Sequence, residues 1–184
     1  MSTREAIVKG LIRRRYAHHA SMPGREWGGE VRARHAGYTS DQLSALPANV
    51  VETWAGCGNV IAGADLHQAD VIVDIGAGGG LDARLACGLA KSGTQVIAID
   101  LTPEMLALES DRQTGLMCSA GDMEQLPLGN AICDLVIANA AFNLALDPAR
   151  AFAEVWRILV PGGRLHICEL VRDGELPAEL LADP

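Results

Sequence analysis

Val71-Ile72-Val73-Asp74-Ile75-Gly76-Ala77-Gly78-Gly79-Gly80 decides how this chain is read. A short apolar run that stops at glycines reads as a buried strand. The glycines permit a tight turn and close approach of backbone to a ligand. Leu81 to Lys91 behind them reads as a helix whose first amides point at whatever lies over the loop. Strand, glycine turn and helix in that order open a βαβ unit.

The pattern repeats downstream. Gln95–Asp100 reads as a second strand, and Thr102-Pro103-Glu104 starts a helix with proline at an allowed early position. Leu116–Ala120 reads as a short third strand and Ile132–Ala138 as a fourth. Ala149–Leu159 reads as a helix closed by Val160-Pro161-Gly162-Gly163, and Arg164–Val171 as a fifth strand. Strands alternating with helices predict an α/β, Rossmann-like, mainly parallel sheet with right-handed crossovers and helices on both faces. Ligands of such sheets sit at the carboxyl ends of the strands.

Upstream the signals are weaker. Residues 3–20 carry Ala6, Ile7, Gly10, Leu11 and Arg14 at helical spacing, and Met22-Pro23-Gly24 ends that element. Residues 22–37 read as irregular. Thr39-Ser40-Asp41-Gln42 is a helix start followed by Leu43, Leu46 and Val50, with Pro47 splitting the region into two short helices. Gly56-Cys57-Gly58-Asn59 reads as a turn. The chain therefore divides into an N-terminal helical cap and lead-in, residues 1–66, and a ligand-binding core, residues 67–184.

Composition narrows the class. A net charge of -8 argues against a general nucleic-acid binder, which needs a Lys/Arg surplus. Arg13, Arg14, Arg15, Arg25, Arg32 and Arg34 cluster early, and the simplest reading is a solvated helix face. Aromatics are 4% of residues, so the core is built from Ala, Val, Ile and Leu. Five cysteines without a Cys-x-x-Cys pair suit reduced thiols in a cytoplasmic protein better than a disulfide framework. Neither a signal peptide nor a membrane span is expected, and no metal site.

The glycine loop could serve a dinucleotide or S-adenosylmethionine, and spacing separates them. A dinucleotide fingerprint places its third glycine three residues after the second. That position is Leu81; the third glycine comes early, at Gly80. Asp74 precedes the loop, unfavourable beside a pyrophosphate but suited to a cationic amino acid group. Asp100 ends the second strand, where a carboxylate accepts hydrogen bonds from both ribose hydroxyls. Asp122 follows the third strand, placed to meet an adenine amino group, and Asn139 ends the fourth. The expected cofactor residues are Asp74, Gly76, Ala77, Gly78, Gly80, Asp100, Leu101, Asp122, Met123 and Asn139.

The segments VIVDIGAGGG, VIAIDLTPEML, GDMEQLPL, DLVIANAAFNL and RILVPGGRL, spanning residues 70 to 171, resemble the class I S-adenosylmethionine-dependent methyltransferases. YTSDQLSALP followed by GCGN, the phrase Asn139 to Leu144, and Glu175-Leu176-Pro177 resemble the arsenite methyltransferases in particular. The resemblance implies strand order 3-2-1-4-5, S-adenosylmethionine as methyl donor with S-adenosylhomocysteine as product, and an arsenic site of cysteine thiolates. Cys57 matches one such thiol. Ala140 stands where the resemblance places another, and a third falls beyond strand five. The final β-hairpin that the resemblance implies is also missing. Strand five is then an open edge, to be covered by a partner, by the N-terminal region or by further chain, and a homodimer is the expectation.

For the acceptor side, the candidates are Tyr16, His18, His19, Cys57 and Asn143, with Trp27, Trp54 and Phe142 as walls of an apolar pocket. Cys118, Cys133 and Cys168 on strands, and Cys87 on a helix, read as small buried hydrophobes. His35 and His166 read as bystanders. Three functions stay open: methyl transfer to a small-molecule acceptor, a cofactor-binding partner or regulator without activity, and a nicotinamide-dependent oxidoreductase, which Leu81 and Asp74 disfavour.

Overall fold

The computed structural model describes residues 3–24, 29–108, 114–171 and 173–174. Helices α1 (Thr3–Ser21), α2 (Gly29–His35), α3 (Ser40–Ser44) and α4 (Ala48–Glu52) lead into strand β1 (Val71–Ile75). Then follow α5 (Leu81–Leu89), β2 (Gln95–Asp100), α6 (Pro103–Leu106), β3 (Leu116–Ala120), β4 (Cys133–Asn139), α7 (Pro148–Ile158) and β5 (Leu159–Cys168). The sheet order is β3-β2-β1-β4-β5, and every pairing is parallel. No strand follows β5 among the described residues.

Side-chain alternation along the strands builds two cores. Ile72, Val96, Ala98, Leu135 and Ile137 face α5 and the lead-in, meeting Leu81, Leu85, Tyr38, Leu43, Val50 and Trp54. Val73, Ile75, Ile99, Val136 and Ala138 face α7, meeting Phe142, Ala151, Val155 and Ile158. Helices therefore cover both faces, and buried central strands read as apolar runs for that reason.

Local chemistry explains the lead-in. Thr39 and Gln42 form a reciprocal capping box at the start of α3. Pro47 stands at the N-cap of α4, so the expected split into two short helices is present. Residues 22–37 are not irregular throughout: α2 forms there. Its Glu30 and Arg34 pair one turn apart at 2.7 Å, and Ala33 is buried in the core, which outweighs the glycine-rich composition.

Several further expectations change. β5 begins at Leu159, directly after α7, and ends at Cys168; Leu170 and Val171 are exposed. Leu159 pairs with Cys133 and Arg164 with Leu135, so Pro161-Gly162-Gly163 is an irregularity inside the strand and not a turn before it. α5 stops at Leu89 because Ala90 is already extended. Cys133 is buried as expected, but Cys118 is exposed on the edge strand β3, whose burial is incomplete, and Cys168 is half-buried.

Candidate active site

An open cleft lies at the carboxyl ends of the strands, and its volume of about 1020 Å³ includes space open to solvent. The loop after β1 forms its floor. Gly76 and Ala77 donate their amides to the Ile99 carbonyl at 2.8 and 3.0 Å, tying the loop to β2. Gly76 has φ +72°, and a Cβ there would stand 2.4 Å from that of Ala141. Only glycine meets both conditions.

Asp100, at the end of β2, accepts the Gly78 amide at 2.9 Å through Oδ2 and the Thr102 amide at 2.7 Å through Oδ1. A carboxylate offers about four lone-pair sites, so Asp100 keeps acceptor capacity for a ligand hydroxyl beside these amides and the Thr102 side chain. Burial raises the Asp100 pKa, against those hydrogen bonds. Asp74 is buried at the cleft floor. The donor set therefore fits S-adenosylmethionine: a glycine cradle, a carboxylate for a ribose and a second carboxylate near the loop.

α1 also borders the cleft. Lys9, Ile12 and Tyr16 occupy one helical face and line the cleft. Lys9 donates to Asp122 at 2.5 Å and to Glu124 at 2.7 Å. Burial opposes the Lys9 charge, but the two carboxylates outweigh it and raise its pKa. Glu124 also accepts the Leu146 and Asp147 amides, so one acid fastens α1 to the segment before α7. Burial, and next the charge of Asp100, raise the Tyr16 pKa, so its phenol is a donor near neutral pH and not a base.

A buried polar web joins the lead-in to the core. Tyr38 donates to Asp82 Oδ1 at 2.5 Å, with its ring edge-on to Trp54. Asn139 donates to the Gly58 carbonyl at 2.7 Å and to Asp82 Oδ2 at 3.1 Å. Its Oδ1 accepts the Cys57 amide at 2.9 Å and the Gly58 amide at 3.3 Å. Arg32 adds a bond to the Gly56 carbonyl at 3.1 Å. Burial pushes the Asp82 carboxyl up to about 6, resisted by the hydrogen bonds from Tyr38 and Asn139.

Nine of the ten expected cofactor residues line this cleft; Gly80 instead caps α5 in a left-handed conformation. Of the acceptor-side candidates, Tyr16 and Trp54 line it. His18 and Asn143 are exposed, and His19 is buried with Nε2 2.9 Å from the Thr53 carbonyl oxygen. Cys57 sits in the turn behind Gly56, and Phe142 stacks on Phe152 away from the cleft lining. Trp27, Arg25 and Glu175-Leu176-Pro177 lie outside the described residues. Sequence reasoning missed Lys9, Tyr38, Asp82 and Glu124. Two signals were available: an acid at the second position of an apolar helix, Leu81-Asp82-Ala83, and a lysine in register with Ile12 and Tyr16.

The model of the methyltransferase domain family matches residues 73–167. The chain is 30% identical over 153 residues to an arsenite methyltransferase of Halobacterium salinarum, covering 80% of this chain and 39% of that protein. It is 35% identical over 120 residues to a malonyl-[acyl-carrier protein] O-methyltransferase of a Marinomonas species, covering 61% and 42%. The chain thus spans about two fifths of these relatives' length. Among solved structures, an arsenic(III) S-adenosylmethionine methyltransferase from Chlamydomonas reinhardtii superposes with a TM-score of 0.70 at 30% identity, over 78% of this chain and 52% of that one. With this sheet order and a family match across more than half of its residues, the chain belongs to the methyltransferase-domain family, among the class I S-adenosylmethionine-dependent methyltransferases.

Proposed function

We propose that this chain binds S-adenosylmethionine across the loop Gly76–Gly80 and directs its methyl group to a small-molecule acceptor. The observation that carries the reading is Asp100, held by the Gly78 and Thr102 amides so that the glycine loop and the end of β2 face one cleft. When bound, the cofactor supplies an electrophilic methyl on a sulfonium. Asp74 and Asp82 offer negative charge to the cationic end, Asp100 accepts the ribose hydroxyls, and Asp122 with Met123 receives the adenine. Leu101 and Ala77 wall the ligand, and Gly80 turns the chain into α5.

In-line displacement needs an oriented nucleophile about 3 Å from the methyl, and positioning supplies much of the rate. Trp54, Gly56, Asn139 and Ala140 also line the cleft, and we assign the acceptor to these residues. Residues 1–66 act as the cap and residues 67–184 as the cofactor core. The reading extends to a homodimer, in a cytoplasm that keeps the thiols reduced. No helix among the described residues is long and apolar enough to cross a membrane.

Calorimetry with S-adenosylhomocysteine and with NAD tests the reading. S-adenosylhomocysteine binds and NAD does not; absence of S-adenosylhomocysteine binding overturns it. Turnover with a panel of phenols, amines, thiols and arsenite then identifies the acceptor.

A further inference from the structure

The cleft is acidic. Among the described residues that line it stand five carboxylates, Asp74, Asp82, Asp100, Asp122 and Glu124, and one cationic side chain, Lys9. Lys9 is on the inner face of α1 with only 12% of its side chain exposed, a depth at which a lysine is rarely found unless paired. Its pairing leaves capacity to spare. An ammonium carries three donors, and Lys9 uses two of them among the described residues, on Asp122 Oδ2 and Glu124 Oε2. Asp122 accepts Lys9 on one oxygen and the Glu124 amide on the other at 3.0 Å, and a carboxylate with about four lone-pair sites can accept more. Glu124 is the anchor of the cluster. It is buried, and its Oε1 already takes the Leu146 and Asp147 amides. The unused donor of Lys9 and the unused acceptor of Asp122 therefore stand side by side in the cleft. Next to them in the chain, the Met123 amide donates to no acceptor among the described residues, and Met123 lines the same cleft.

We propose that Lys9 is a cofactor-binding residue whose ammonium donates to N7 of the adenine, beside the amino group that Asp122 accepts. The inference rests on the reading that brings the adenine to Asp122 and Met123. The amino group of adenine is a donor flanked by two ring acceptors, N7 and N1. Such an edge asks the protein for a donor, an acceptor and a second donor. Asp122 is the acceptor. The Met123 amide, adjacent to Asp122 in the chain, takes N1, and this assigns N7 to Lys9. A donor that carries charge gives the stronger of the two bonds.

The assignment gives α1 a second task. Lys9 is fastened to Asp122 and Glu124, so the ligand adds one bond to a helix that borders its own cleft. Coupling of this kind is reciprocal: the cofactor holds α1 in place, and α1 tightens the cofactor.

Calorimetry on the full chain compares S-adenosylhomocysteine with its 7-deaza and 1-deaza analogues, in which carbon replaces N7 or N1. The parent binds the 7-deaza analogue about tenfold more weakly than S-adenosylhomocysteine, the size of one charge-assisted hydrogen bond. In Lys9→Met that ratio falls to about one, because the donor is gone. The 1-deaza ratio is the same in parent and variant. Looser docking of α1 would weaken all three ligands by one factor and leave both ratios alone, so the ratios separate ligand contact from a structural role. Limited proteolysis at matched saturation gives a second readout: S-adenosylhomocysteine slows cleavage within α1 more than the 7-deaza analogue does. A parental 7-deaza ratio near one, which needs no variant, overturns the assignment. So does a ratio unchanged in Lys9→Met, a Lys9 effect that falls on the 1-deaza analogue, or equal protection of α1 by both ligands. A parent that binds none of the three ligands overturns the cofactor reading, and this inference with it.

Discussion

Asn139→Ala tests the polar web that fastens the Gly56-Cys57-Gly58 turn to the sheet. The amide makes three short bonds, to the Cys57 amide at 2.9 Å, the Gly58 carbonyl at 2.7 Å and Asp82 Oδ2 at 3.1 Å. A net hydrogen bond is worth about 1 kcal/mol, so their sum is about 3 kcal/mol. Cys57 and Gly58 are half-buried, so water replaces part of the loss, while Asp82 is buried and keeps only Tyr38 among these partners. The expected destabilisation is therefore about 2–3 kcal/mol, or roughly 4–12 °C in Tm for a chain of this size. Asn139→Asp separates the contributions. It retains acceptors for the turn amides but sets a second carboxylate against Asp82, so its deficit grows from pH 5 to pH 8. Thermal melts and S-adenosylhomocysteine titrations at several pH values read both variants. A Tm within about 1 °C of the parent for Asn139→Ala would show that packing alone holds the turn and would refute the reasoning.

Gly76→Ala is expected to lose cofactor binding and at least about 1–2 kcal/mol of stability, because φ is +72° and the new Cβ meets Ala141 at 2.4 Å; calorimetry and urea melts check it, and parental affinity would contradict the cradle. Asp82, raised to about 6 by burial, favours the neutral form in the fold. Its contribution is full below the unfolded value of about 4 and is lost as pH climbs through 6. The stability of Asp82→Asn relative to the parent should accordingly rise between pH 4 and about 7 in urea melts, and a pH-independent difference would count against a buried titrating carboxyl. Lys9→Met leaves Asp122 and Glu124 facing each other without a cation, so α1 should become accessible to limited proteolysis, while Lys9→Arg restores protection; equal digestion of parent and Lys9→Met would deny that the ion pair fastens α1.

The fold is most legible where one short segment carries its own signal. The β1 run, its glycines and the acid ending β2 are local patterns, and the parallel sheet follows from strands alternating with helices. α2 was missed because Ala33 burial and the Glu30–Arg34 pair outweigh local glycine content only once α4 packs nearby. β5 was misplaced because its bulge depends on register against β4, which no window of sequence displays.

The sequence by itself determined the α/β class and the glycine loop of the cleft, because backbone turns are set by neighbours in the chain. Only tertiary structure decided which distant side chains meet. Lys9 reaches Asp122 across 113 residues, Asn139 reaches Cys57 across 82, and Cys168 arrives beneath Gly58 from the far strand. Such contacts follow from sheet order and helix docking, which bring together residues whose sequence separation carries no periodic trace.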